Sequence, residues 1–168
     1  MKLNLLKFKT KSHLKKNKTL RSNPSYLNAE LIGVIFSIED RNKHEEIKKL
    51  IKKFEDDGKK VKVFGFLPEH KENFEFLFDF FSQKEVSVWG TVASEHALQF
   101  ANTPFDFLYC LDIKPNPYIL NILARSKAKC RIGKFWEEGK PYFEFMIESV
   151  GGTTGLIEGV YKYSKSLR

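Results

Sequence analysis

Residues 31–38 read LIGVIFSI, a continuously apolar run that is rich in β-branched side chains. Such a run predicts a strand that is covered on both faces of a sheet. A stripe of apolar residues at helical spacing follows it, made of Ile47, Leu50, Ile51 and Phe54. A buried strand followed by an amphipathic helix is the repeating unit of an α/β fold with a parallel sheet. This segment therefore predicts one unit of an α/β domain.

The same alternation continues along the rest of the chain. Further strands are predicted at residues 61–67, 86–90, 105–111, 130–133 and 142–147. Amphipathic segments predict helices at residues 93–100 and 118–127, and a last helix after residue 151. The alternation predicts a Rossmann-like three-layer sandwich with a mostly parallel sheet of about six strands.

Three local patterns refine this prediction. Asn116 and Pro117 are a favourable helix start, because Asn caps a free backbone N–H and Pro has none to lose. No helix is predicted between the last two strands, so residues 137–141 are expected to turn an antiparallel hairpin at the sheet edge. Pro68 is expected to open a helix with an aromatic core face, formed by Phe74, Leu77, Phe78 and Phe81.

The formal net charge of +8 is concentrated at the N-terminus. Residues 1–24 contain no acidic residue, and their basic residues are Lys2, Lys7, Lys9, Lys11, Lys15, Lys16, Lys18 and Arg21. In the remainder, the 21 acidic residues are matched by an equal number of basic ones. The sequence therefore divides into a basic N-terminal arm, residues 1–24, and a neutral Rossmann-like α/β domain, residues 25–168.

The basic arm is the clearest functional signal. It predicts a non-enzymatic protein that binds RNA, with the ribosome as a partner, through Lys7, Lys9, Lys11, Lys15, Lys16, Lys18 and Arg21. Phe8 and His13 are available to stack on bases. An anionic membrane surface or an acidic protein are alternative partners, and a solvated tail that only aids solubility is the third interpretation. Lysines interrupt the loose apolar cluster of Leu3, Leu6 and Leu14, which weakens the membrane interpretation.

A second hypothesis places an anionic small molecule, such as a nucleotide or a sugar phosphate, at the carboxyl edge of the sheet. The chain would be a binding protein or a transferase for this ligand, using Asp40, Asp112, Gly151, Gly152, Thr153 and Thr154. The turn after the first strand is not glycine-rich, and its carboxylates would repel a pyrophosphate. A dinucleotide site is therefore not expected, and a small-molecule ligand is less favoured than RNA.

No other chemistry is predicted. The four histidines are scattered, and the chain has neither an HExxH motif nor a GxSxG elbow. We therefore predict no catalytic residue, no cofactor and no metal site. Cys110 and Cys130 lie in apolar runs and are expected to be buried thiols, with a disulfide or a redox pair as the alternatives. The longest apolar stretch near the N-terminus, Leu5-Leu6, is too short for a signal peptide, so a cytoplasmic location is expected.

Several segments resemble a domain-of-unknown-function family of small Rossmann-like proteins from Bacteroidota. They read IGVI at residues 32–35, WG at 89–90, FDFL at 105–108 and SKAKCRIG at 126–133. The AKCRIG portion is also similar to the end of the N-terminal half of heptosyltransferase-type glycosyltransferases. Those enzymes bind their nucleotide-sugar mainly through a second domain, and no counterpart of that domain is expected in these 168 residues. The resemblances imply a fold and no activity.

Overall fold

The computed structural model describes residues 1–71 and 78–168. The helices in these residues are α1 (Lys2–Lys16), α2 (Arg41–Asp56), α3 (Glu95–Asn102), α4 (Pro117–Arg125) and α5 (Gly152–Ser166). The strands are β1 (Leu31–Ser37), β2 (Lys60–Leu67), β3 (Asp79–Ser82), β4 (Phe107–Cys110), β5 (Cys130–Lys134) and β6 (Phe145–Ile147). This architecture confirms the predicted Rossmann-like α/β class.

The six strands form one sheet in the order β3-β2-β1-β4-β5-β6, and every pair of neighbours is parallel. The order reverses between β1 and β4, where a Rossmann-like fold has its topological switch point. Two cores flank the sheet, because α2 and α5 pack on one face while α1, α3 and α4 pack on the other. The sheet is therefore covered on both sides.

Strand β1 lies at the centre of this arrangement. Its side chains alternate between the two cores, with Val34 and Phe36 in one and Ile35 in the other. At Gly33 a Cβ atom would lie 2.8 Å from the ring of Phe105, so glycine is needed for that ring to pack. The buried strand predicted from LIGVIFSI is confirmed.

The third strand is not where the sequence pattern placed it. The predicted strand at residues 86–90 is wrong, because only Val86 makes a β-bridge there, to Val92. The strand is instead β3, so the predicted aromatic helix is wrong at Phe81, which is fully buried on β3. Phe74 and Leu77 lie outside the described residues. Aromatic side chains suit strands and helix stripes alike, which is why the periodicity misled here.

The predicted antiparallel hairpin at residues 137–141 is also wrong. Strand β6 begins at Phe145 and runs parallel to β5, after a connection that contains a short 3-10 helix. The Arg131 guanidinium pairs with Glu144 at 2.7 Å and donates to the Pro141 carbonyl, which fixes the end of this connection. Phe143 packs directly over Gly133. These contacts between residues on either side of the connection favour parallel pairing of β5 and β6, which the local sequence pattern does not predict.

Candidate nucleic-acid interface

The predicted basic arm forms a helix that is packed on the α/β body. Leu6 of α1 is fully buried in the core that α3 and α4 cover. Thr10 is buried beside it, and its Oγ1 donates to the Leu6 carbonyl while accepting from Asn121 Nδ2 at 2.9 Å. At the end of the helix, Asn17 Nδ2 donates to the carbonyls of Ala124 and Ser126 at 3.0 Å. These contacts attach α1 to α4 along its length.

Among the described residues, two of the seven cations predicted to bind nucleic acid have partners within the protein. Lys9 Nζ donates to Thr91 Oγ1. The Arg21 guanidinium donates to the carbonyls of Ser126, at 2.9 Å, and Ala128, and it lies 3.6 Å from Glu144. Lys9 and Arg21 therefore hold the N-terminal segment in place. The other five are exposed, namely Lys7, Lys11, Lys15, Lys16 and Lys18.

Two long segments of the sequence contain no acidic residue, residues 1–29 and residues 113–136. Helix α1 belongs to the first and α4 to the second, and the two helices pack against each other. The basic residues of the second segment are Lys114, Arg125, Lys127, Lys129, Arg131 and Lys134. Lys129 pairs with Asp106 at 2.6 Å, and Arg131 pairs with Glu144. The fold therefore concentrates positive charge that lies far apart in the sequence.

An open cavity of about 520 Å³ lies where the ends of α1, α3 and α4 meet. We call it the basic cavity, and its ionisable lining residues are His13, Lys16, Lys18, Arg125 and Lys127. Burial lowers the pKa of Arg125, which is half-buried. No carboxylate pairs with Arg125 in the part of the chain that the structure describes. A half-buried guanidinium with no counter-charge is suited to an external anion.

The pKa of His13 is affected by the positive charge around the basic cavity. Burial and the positive charges of Arg125, Lys16 and Lys9 lower its pKa below the ordinary value of 6.5. Each of these causes disfavours the charged imidazolium. The His13 side chain is therefore neutral near pH 7, and its environment is electropositive.

The uncompensated cations of α1, α4 and the basic cavity form one basic surface. We define it by Lys7, Lys11, Lys15, Lys16, Lys18, Arg125 and Lys127. Sequence reasoning missed Arg125 and Lys127 because it treated residues 25–168 as uniformly neutral. The acid-free run at residues 113–136 was the signal that could have found them.

Two aromatic side chains are exposed on or beside α1. Phe8 lies on α1 and is 71% exposed. Trp89, which is 72% exposed, lies in the turn between Val86 and Val92. The sequence pattern predicted a strand at Trp89 and no functional role for it. Exposed aromatic rings beside cations are a combination that single-stranded nucleic-acid sites use.

The predicted ligand residues Asp40 and Asp112 both have partners within the protein. Asp40 caps α2 by accepting from the Lys43 backbone N–H at 2.8 Å. Asp112 accepts from the Ser37 backbone N–H at 2.7 Å, from Ser37 Oγ at 2.6 Å and from Lys43 Nζ at 2.8 Å. Asn116 Nδ2 donates to Ser37 Oγ. We call Ser37, Lys43, Asp112 and Asn116 the switch-point cluster, because its hydrogen bonds link the ends of β1 and β4, where the strand order reverses.

The predicted glycine-rich turn forms the start of α5. Gly151 is the N-cap residue with φ of 95°, Gly152 has φ of 65°, and Thr153 and Thr154 belong to the first turn. Within residues 1–71 and 78–168, no hydrogen bond or ion pair links this turn to Asp40 or Asp112. The structure therefore does not join the two halves of the predicted small-molecule site through direct contacts.

The remaining reactive groups are buried or dispersed. Cys110 and Cys130 are free thiols in the core, and burial raises the pKa of each to about 12. No group of three or more His, Cys, Asp or Glu side chains in the described residues could hold a metal ion. Among the same residues, no helix has the length and apolar character to cross a membrane.

Comparison with known proteins places the chain in a family. A family model matches residues 2–167, which is nearly the whole chain. The protein belongs to DUF6913, a family of unknown function. The DUF6913 match includes all of α1, so this helix lies within the region that the family model covers. This finding confirms the predicted resemblance to a domain of unknown function. No curated protein and no solved structure matches the chain.

Proposed function

We propose that this protein binds RNA through the basic surface of α1 and α4 and that it acts without catalysis. One observation carries the proposal: the two acid-free segments of the chain pack against each other, and the seven cations of the basic surface have no carboxylate partner among the described residues. Uncompensated cations on one face are the electrostatic footprint of a nucleic-acid-binding protein. A cytoplasmic location and ribosomal RNA as the ligand are part of the same proposal.

Electrostatics makes the strength of this binding depend on salt. Each neutralised phosphate releases condensed counterions, so the logarithm of the association constant falls linearly with the logarithm of the salt concentration. If all the cations of the basic surface engage single-stranded RNA, the expected slope is about −5. The half-buried Arg125 is suited to a bidentate contact with one phosphate.

The same geometry favours RNA over a membrane surface. The apolar side of α1 is used inside the protein, since Leu6 is fully buried. The outward side carries Lys7, Lys11 and Lys15, with Phe8 as its main exposed ring. A helix that lies in a membrane interface needs a broad apolar face of its own. Anionic vesicles and an acidic protein are therefore comparison ligands in the test.

The decisive experiment removes three exposed cations without disturbing the fold. The variant replaces Lys7, Lys11 and Lys15 by Ala, which is the best helix former, so α1 is expected to remain intact. Binding of a fluorescein-labelled 20-nucleotide RNA is followed by fluorescence anisotropy over a range of salt concentrations. We expect at least a tenfold loss of affinity and a salt slope that is shallower by about 2.

A matched control changes the same number of lysines on the opposite side of the sheet. It replaces Lys48, Lys49 and Lys52 of α2 by Ala. These three lysines form ion pairs on the protein surface, and such pairs contribute little to stability. This control should keep RNA affinity within about twofold. An equal loss in both variants would mean that net charge alone matters and would contradict the proposal. Tighter binding to anionic vesicles than to RNA would contradict it as well.

Deleting residues 1–24 is a poor test, because it removes Leu6 and Thr10 from the core. Point variants on the exposed face avoid this problem and can be used in cell extracts. The full-length protein should co-sediment with ribosomes at low salt, and nuclease treatment should release it. The triple α1 variant should remain in the supernatant.

A further inference from the structure

The turn between Val86 and Val92 is closed by backbone hydrogen bonds. Ser87 N–H donates to the Thr91 carbonyl at 2.8 Å, and Gly90 N–H donates to the Ser87 carbonyl at 2.9 Å. Val86 and Val92 are buried and form an antiparallel bridge at its base. This turn presents two apolar side chains to solvent, Val88 and Trp89.

The turn is fastened to the N-terminal half of α1. Gly90 has φ of 73° and approaches the α1 backbone so closely that a Cβ would lie 2.4 Å from the Leu6 nitrogen. Lys9 Nζ donates to Thr91 Oγ1, and Lys2 Nζ donates to the Gln83 carbonyl at 2.7 Å. Trp89 is therefore held beside the helix that carries the exposed ring of Phe8 and the cations of the basic surface.

We infer that Trp89 and Phe8 stack on unpaired bases, so that the RNA bound by the basic surface is single-stranded. This inference rests on the proposed function and names its substrate class. Cations beside the rings would hold the backbone while the rings stack on the bases, which is how single-stranded nucleic acid is bound without sequence readout. Bases inside a duplex are already stacked on each other, so the interior of a duplex offers neither ring a partner.

Charge complementarity argues for RNA over an apolar protein partner at these rings. The chain next to Phe8 is Lys7 and Lys9, and Lys11 follows one turn later. An apolar partner would have to remove water from these ammonium groups without giving them a counter-charge. A polyanion that carries aromatic bases supplies both the counter-charge and the stacking surface.

Fluorescence of Trp89 tests the inference directly. The chain has two tryptophans, and Trp136 is stacked on Tyr142 with a centroid distance of 6.1 Å. The Trp136→Phe variant leaves Trp89 as the single tryptophan. This variant is titrated with a single-stranded 12-nucleotide RNA, with a blunt RNA duplex of the same charge and with inorganic polyphosphate. We expect the single strand to quench at least half of the emission and the other two ligands to leave it nearly unchanged.

Substitution of the ring gives a second readout. Trp89→Ala should weaken binding of the single-stranded RNA about tenfold, because a base loses its stacking partner. Trp89→Phe should restore most of the affinity, since a phenyl ring still stacks. The salt slope should stay unchanged in both variants, because no cation has been removed. The matched control Val88→Ala, in the same turn, should bind like the native chain.

The outcomes separate this inference from the proposed function. If anisotropy shows tight RNA binding while Trp89 emission does not change, the rings do not stack and only the inference fails. Equal quenching by the duplex would also overturn it, as would an undiminished affinity of Trp89→Ala. If neither RNA binds at low salt, the proposed function and the inference fall together.

Discussion

The switch-point cluster and the basic surface both contain lysines, but their charges are compensated in opposite ways. Lys43 is buried with 3% of its side chain exposed, and it pairs with Asp112, which is 5% exposed. On the basic surface, Lys16, Lys18, Arg125 and Lys127 surround a cavity without a carboxylate in its lining. At the strand ends where this fold commonly binds ligands, the Asp112 carboxylate is thus already paired with a cation of the protein itself. The positive charge that could attract an anionic ligand lies elsewhere, on the basic surface.

The largest expected effect comes from breaking the buried pair. Lys43→Met should lower the free energy of unfolding by about 3 to 5 kcal/mol, because the Asp112 carboxylate stays buried without its cation. Urea unfolding measures this loss, and RNA affinity at a temperature where the variant is folded should not change. Lys48→Met on the exposed face of the same helix is the control, with a change within about 0.5 kcal/mol. An undiminished free energy of unfolding in Lys43→Met would show that Asp112 does not depend on the Lys43 cation for its burial.

A smaller effect is expected at Arg125, where substitution should change RNA affinity and not reduce stability. Arg125→Leu should weaken RNA binding by about 1.5 kcal/mol, roughly tenfold in Kd, by removing a charged hydrogen-bond donor. Its stability should stay level or rise, because burial already disfavours the charged guanidinium. Anisotropy and urea unfolding of the same preparation measure both quantities. A loss of stability without a loss of affinity would make Arg125 a structural residue and would remove the basic cavity from the interface.

The smallest effect is a pH dependence from His13. In the free protein its pKa lies below 6.5, because of burial and of the cations Arg125, Lys16 and Lys9. A phosphate in the basic cavity would favour the imidazolium and raise that pKa, so RNA affinity should increase as the pH falls below neutrality. NMR titration of the His13 ring, with and without RNA, measures both pKa values.

Folding stability is expected to change with pH in the opposite direction from RNA affinity, because it decreases as the pH falls. A histidine whose pKa is lowered by folding stabilises the protein above its unfolded pKa, and this contribution is lost as the pH falls below about 6.5. His13→Asn should therefore flatten the pH dependence of affinity and of stability. His96→Asn, away from the basic cavity, should alter neither. An unchanged His13 pKa in the complex would place the phosphates outside the cavity.

Much of the fold could be predicted because its signals are local. The buried strand at LIGVIFSI and the helix cap at Asn116 depend on neighbouring residues, and both are confirmed; the Asn116 Oδ1 accepts from the Tyr118 backbone N–H at 2.9 Å. The predictions at residues 86–90 and 137–141 were wrong because long-range contacts decide those segments. The turn that carries Trp89 packs through Gly90 against the backbone of α1, and Arg131 donates to the Pro141 carbonyl ahead of β6.

The sequence by itself determined the alternation of strands and helices, the absence of a glycine-rich phosphate turn after β1 and the concentration of basic residues near the N-terminus. Only the tertiary structure decided which cations remain without a partner. Arg21 and Lys9 are used to hold the N-terminal segment, whereas Arg125 joins the lysines of α1. The physical reason is that charge compensation depends on distances in space, and the packing of α1 on α4 sets those distances between residues that are far apart in the chain.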